Sequence, residues 1–135
     1  MNTTSPVRVW TRNQREQFVA AYVECSTWSS TDDNGEPLDS LPAVTEAYSQ
    51  LDAFDETAKE QMLVDCQAFI DANMGDLQNL DPVQAGHDFW LTRNHHGAGF
   101  WARGLGELGD RLSWAAREFG EVELYVGDDG LLYTF

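Results

Sequence analysis

Basic residues are what this chain has least of. Among 135 residues there are eight, seven arginines and the single Lys59, against twenty-three Asp and Glu, for a formal net charge of −15. That balance excludes non-specific binding to nucleic acid or to anionic lipid, both of which need basic surface. Cysteine is scarce as well. Cys25 and Cys66 fall within helical patterns and lack metal-ligand spacing, which marks them as reduced, buried small hydrophobes. No apolar run is long enough to span a membrane, and no signal peptide or lipidation motif appears, which points to a soluble cytoplasmic protein. Gly-x-Ser-x-Gly, phosphate-loop, dinucleotide and zinc signatures are all missing. No cofactor or metal is implied, and a binding protein is favoured over an enzyme.

What remains is the composition of a globular protein, 42% apolar and 12% aromatic, sized for one domain over residues 1–135. Its charge is unevenly placed. From Glu24 to Asp88 fifteen acidic residues meet one base, a net of −14, whereas outside that stretch eight acids meet seven arginines, a net of −1.

Residues 1–9 read as an arm, with Val7 to Trp10 laid against the body. Thr11 caps a first helix to about Ser29, with Phe18, Tyr22, Cys25 and Trp28 at inward spacing. A loop through Asp32-Asp33-Asn34-Gly35 follows. Ser40 before Leu41-Pro42 starts a short second helix with Val44, Tyr48 and Leu51 inward. Asp55 caps a third helix from 56 to about 73, closed by Asn73-Met74-Gly75. Ala58, Met62, Cys66, Phe69 and Ile70 form its apolar stripe, while Glu56, Glu60, Gln67 and Asp71 share another face. Residues 76–85 read as a polar connection broken by Pro82.

Residues 88–92 are rich in β-formers, Asn94 to Gly97 is turn chemistry, and Phe100-Trp101 resumes a strand, so 86–101 is predicted to be a hairpin. Asp110 caps a fourth helix over 111–119 with Leu112, Ala115, Ala116 and Phe119 inward, stopped by Gly120. Strands over 121–126 and 131–134 flank Gly127-Asp128-Asp129-Gly130, a second hairpin. The predicted fold class is α+β: N-terminal helices packed on a small antiparallel sheet of two hairpins, with a helix between the hairpins.

The predicted central hairpin carries all three histidines. On one strand, His87 and His95 are eight residues apart at about 3.3 Å each, roughly 26 Å, too far to share a metal ion. A turn near His96 brings Asp88 to Arg103 as an ion pair. Asp88, Arg93, Asn94, His96 and Arg103 nevertheless form a candidate ligand site, should this ribbon be the working surface of a small enzyme or ligand-binding module.

The run Gly86-His87-Asp88-Phe89-Trp90-Leu91-Thr92-Arg93-Asn94, with His96-Gly97-Ala98-Gly99-Phe100-Trp101 and Arg103-Gly104-Leu105-Gly106, resembles a family of small tailed-bacteriophage proteins without an assigned function. Leu124-Tyr125-Val126-Gly127-Asp128-Asp129-Gly130 and Tyr133 fit the same resemblance. In that family glycine usually stands where His95 is, and aspartate where Ala102 is. The resemblance implies a phage accessory protein acting in the bacterial host cytoplasm.

The acidic half suggests how it would act. Duplex DNA shows about one negative charge per 1.7 Å of axis, and carboxylates four residues apart on a helix rise about 6 Å, a spacing comparable to that of phosphates along a strand. The leading expectation is therefore a non-enzymatic inhibitor. It would occupy the nucleic-acid-binding surface of a host protein, plausibly a defence nuclease such as a restriction or CRISPR effector, through Asp32, Asp33, Glu36, Asp52, Glu56, Glu60 and Asp71.

Overall fold

A computed structural model describes residues 8–135. Residues 1–7 of the arm expected over 1–9 lie outside them; of its end, Val9 is exposed and only Trp10 is buried, against Phe18 with ring centroids 5.9 Å apart. Helix α1 runs Arg12–Trp28 and opens with a capping box. Thr11 Oγ1 accepts from the Gln14 N–H and the Gln14 side chain accepts from the Thr11 N–H. Phe18, Tyr22 and Cys25 are buried as their spacing predicts, but Trp28, the last residue of the helix, turns out to solvent.

Helix α2 is a single turn, Pro42–Thr45. Val44 packs inward, whereas Tyr48 is fully exposed because it falls in the bend after the helix and leaves its period. Helix α3, Glu56–Leu77, starts at the Asp55 cap, whose Oδ1 accepts from the Ala58 N–H. Its predicted stripe is buried in full. Asn73, expected to stop the helix, only kinks it (φ −123°, ψ 20°), and its Nδ2 donates to the Phe69 carbonyl.

The largest correction concerns residues 82–101. There is no hairpin there. Pro82–Arg93 is helix α4, with Pro82 in its first turn and Asp81 as its cap, accepting from the Gln84 N–H. Phe100–Ala102 is a 3₁₀ turn. The β-forming residues Phe89, Trp90 and Thr92 are all buried, so tertiary packing decides their state over intrinsic preference. Helix α5, Glu107–Arg117, begins three residues before the expected cap. Strands β1, Leu124–Val126, and β2, Leu132–Thr134, form the predicted antiparallel hairpin with Tyr125 opposite Tyr133. The fold is α+β, its sheet built from this one hairpin, and Phe54 adds a bridge to Leu132.

The core is aromatic. Phe69 and Phe89 stack at 4.2 Å, with Phe18, Tyr22, Phe100 and Phe119 around them. Gly86 lets α1 and α4 cross closely, since a Cβ there would overlap the Phe18 carbonyl. Contacts of Phe18 with Gly86 and of Tyr22 with Arg93 make α1 and α4 parallel. The pairs Arg15–Asp71 and Arg111–Asp76 set α3 antiparallel to α1 and to α5. Three helices thus point their C-termini to one end of the molecule. Among the described residues no helix is long and apolar enough to cross a membrane.

Helix α4 ends in a Schellman motif. His96 N–H donates to the Leu91 carbonyl and His95 N–H to the Thr92 carbonyl, with His95 in the left-handed region at φ 56°. A side chain there is strained by about 1 kcal/mol relative to glycine. His95→Gly is therefore expected to raise stability by about 0.5–1 kcal/mol in urea denaturation; a loss would show that the His95 contact with Glu121, at 3.7 Å, outweighs the strain.

Cys25 and Cys66 are free and buried. Burial pushes the Cys25 thiol up to about 12 and the Cys66 thiol well above its ordinary value of 9.0. The folded chain therefore holds two protons that the unfolded chain releases near pH 9. Stability from this source is whole below that pH and falls as the pH climbs towards about 12. Thiol reagents at pH 8 should label neither cysteine until denaturant is added, and rapid labelling of the native chain would contradict their burial.

Candidate functional site

The residues singled out around 88–103 come together differently from the hairpin picture. Asp88 is buried, and Arg103 clamps it with Nε at 3.1 and 3.2 Å and Nη2 at 2.8 Å. That pair matches the prediction, and hydrogen bonding to Asp88 raises the Arg103 pKa above its ordinary value. Asn94 caps α4: its Nδ2 donates to the Trp90 carbonyl and its Oδ1 accepts from the Val122 N–H.

Arg93 is 4% exposed along its side chain. Its Nε donates to the Gly120 carbonyl, Nη1 to the Tyr22 hydroxyl and the Asp65 carboxylate, and Nη2 to the Phe119 carbonyl. The guanidinium carbon also lies 5.6 and 5.7 Å from the Phe89 and Phe119 ring centroids. These bonds hold the fold together. Only Asn94 and His96 of the candidate ligand set line a common cavity, a polar pocket of about 320 Å³ with Ser29, Thr31, Trp90 and Glu121. Asp88, Arg93 and Arg103 do not line it. As helix, the eight residues from His87 to His95 rise about 12 Å, and among the described residues no cluster is arranged to hold a metal ion.

The acidic residues are redistributed by the fold. Asp71, Asp76 and Asp88 are met by Arg15, Arg111 and Arg103 from outside the acidic stretch. Asp71 therefore lies at the arginine-bearing end, engaged in an ion pair. The other six predicted partner residues lie at the opposite end, where α1 stops and α3 starts. The Thr27 hydroxyl donating to Gln50 at 2.8 Å, and Asp55 N–H donating to the Leu132 carbonyl, bring the loop, the start of α3 and the hairpin to this end.

There, Asp32 accepts from the Asn34 and Glu36 N–H groups, which orders the loop and turns its neighbours outward. Asp33, Glu36, Glu56 and Glu60 are exposed and form no ion pair among the described residues. Glu121 and Glu123 line the polar pocket beside Ser29 and Thr31 at this end, and Asp129 holds Tyr133 of the strand that is bonded to Asp55. Three bases stand there. Lys59 pairs with Asp52 at 3.5 Å and Arg93 with Asp65 at 2.8 Å, and Arg117 forms no ion pair among the described residues. The C-termini of α1, α4 and α5, each equivalent to about half a negative charge, point the same way, and the N-terminus of α3 offsets one of them. The result is an acidic pole rather than an acidic face of one helix.

Two surfaces escaped the sequence reading. One is a mainly apolar groove of about 710 Å³ between α1 and α3, floored by Val19, Val23, Leu51, Leu63 and Ile70. The other is the outer side of the C-terminal hairpin, where Tyr125, Tyr133 and Phe135 gather. The alternation of Tyr125 with Glu123 and of Tyr133 with Phe135 in the strands carried that signal.

Removing the Arg93 side chain while leaving Asp65 in place should be severe. Arg93→Met is expected to cost about 3–5 kcal/mol in urea denaturation, because it orphans a carboxylate and two carbonyls, and Arg93→Lys should recover only part, having lost the fork geometry. A loss below about 1 kcal/mol would mean that the pair is solvated.

Comparison with family models, with curated proteins and with solved structures found no match to this chain.

Proposed function

We propose that this chain is a non-enzymatic inhibitor whose acidic pole occupies the nucleic-acid-binding surface of a basic partner protein. The observation that carries this reading is the gathering, at one end of the molecule, of outward carboxylates free of ion pairs among the described residues, together with three helix C-termini. A basic cleft meets such a pole as it would a phosphate backbone: binding neutralises the cleft, releases its counterions, and weakens steeply with salt. Glu56 and Glu60, one helical turn apart on α3, supply a phosphate-like spacing of about 6 Å. The resemblance to tailed-phage accessory proteins makes a bacterial defence nuclease, a restriction or CRISPR effector, the partner of choice and the host cytoplasm the place. Against a catalytic reading, the polar side chains of Asp88, Arg93, Asn94 and Arg103 are taken up in hydrogen bonds within the fold.

The test is affinity capture from bacterial lysate, followed by binding measurements on the captured protein. The wild type should capture a basic nucleic-acid-binding protein, and duplex DNA or high salt should release it. Asp33→Lys, Glu36→Lys and Glu60→Lys together should weaken the complex by about 3 kcal/mol, since each contact becomes a repulsion. Glu56 is left unchanged because it sits in the first turn of α3, where negative charge supports the helix. His96→Ala should bind as the wild type does. Affinity indifferent to the three reversals and to salt, or lost in His96→Ala, would reject the acidic pole and favour the polar pocket.

A further inference from the structure

The C-terminal hairpin has two unlike sides. Alternate residues of paired strands share a face. With Tyr125 opposite Tyr133, Leu124 and Leu132 go into the core, while Glu123, Tyr125, Tyr133 and Phe135 face the other way. The rings of Tyr125 and Tyr133 stack at 5.3 Å and 16°, and Phe135 meets Tyr125 edge-on at 5.3 Å and 65°. Tyr125 is 46% and Phe135 68% exposed.

These exposed rings are held in place. Tyr133 lies flat over Gly127, where a Cβ would overlap its ring. Its hydroxyl donates to Asp129 at 2.6 Å, and Asp129 also accepts from the Leu131 N–H. Phe135 exchanges both backbone hydrogen bonds with Glu123. The charge beside the rings is negative: Glu123 lies opposite Phe135, Asp129 holds the Tyr133 hydroxyl, and from Glu118 to Phe135 the chain has no base.

We infer that this ring face is a cation site that takes the guanidinium of an arginine on a basic segment of the partner protein. Aromatic faces carry negative charge density, and neighbouring carboxylates add to it. Arginine fits better than lysine, because its planar, weakly hydrated group stacks on rings while its edge donates to carboxylates. The fold already uses this chemistry internally, where Arg93 sits against Phe89 and Phe119. That the partner is basic rests on the acidic-pole reading; that the contact is an arginine rests on the hairpin alone.

Hexa-arginine and hexa-lysine peptides of equal charge separate the two. Titrated into the full chain and followed by NMR, the arginine peptide should bind about two- to fivefold tighter than the lysine peptide. It should also shift the ring signals of Tyr125, Tyr133 and Phe135. Tyr125→Leu with Tyr133→Leu should bring the two affinities together. Should that variant fail to fold, Gly127→Ala displaces the Tyr133 ring with every charge retained, and it too should erase the preference. Equal affinities in the wild type, with shifts confined to the acidic turns, would overturn the ring site and leave the acidic pole standing. An arginine preference that survives in the Asp33→Lys, Glu36→Lys, Glu60→Lys variant, with overall peptide affinity unchanged, would uphold the ring site and remove the acidic pole. Ring signals that move with protein concentration and ignore both peptides would mark a contact between two copies, and would overturn the proposal.

Discussion

One guanidinium ties this fold together. Arg93 belongs to α4, yet its bonds reach Tyr22 of α1, Asp65 of α3 and the last carbonyls after α5. Each partner is a group that burial would otherwise leave wanting: a phenol hydroxyl, a carboxylate 15% exposed, and two helix-end carbonyls. Burial alone would lower the arginine's pKa, and the partners together raise it, so the charge stays. Because Arg93 holds the end of α5 against the end of α4, the segment after Gly120 has to leave from that end. Asn94 then accepts from Val122 and sets the first residues of the hairpin. The position of the sheet thus follows from the C-terminal turn of α4.

That geometry also decides where charge accumulates. Parallel α1, α4 and α5 add their C-terminal dipoles, and the antiparallel α3 cancels only part of the sum. The last turn of α1 carries no base, and the Ser26, Thr27 and Ser29 hydroxyls that donate to its carbonyls bring no charge. Four arginines of the opposite end, Arg12, Arg15, Arg111 and Arg103, are spent on Glu16, Asp71, Asp76 and Asp88. A chain selected only for stability would place bases at the crowded end. This one concentrates like charge there, which costs stability through self-repulsion.

Much of this was legible in the residues. Helices α1 and α3 announce themselves through caps at Thr11 and Asp55 and through apolar residues at helical spacing, and the second hairpin through Gly127-Asp128-Asp129-Gly130. Helix α4 was not legible by the same logic, because Phe89, Trp90 and Thr92 favour strands in isolation. The better signal is Asp81-Pro82, an N-cap followed by a first-turn proline, which opens a helix where a proline elsewhere would break one. The Asp88–Arg103 pair survives that error for a clear reason. Any chain reversal near His96 returns residue 103 to residue 88, whether the first arm is strand or helix. The acidic pole could not be read from the sequence, since which carboxylates meet arginines depends on helix order and direction.

The central claim is that negative potential is concentrated where α1, α4 and α5 end. Paramagnetic relaxation of backbone amides by a cationic and an anionic cosolute of the same shape measures that potential residue by residue. The account predicts the strongest preference for the cation at residues 31–40 and 121–130, and the weakest around Arg8 to Arg15. A preference spread evenly over the surface, or greatest at the arginine-bearing end, would contradict it.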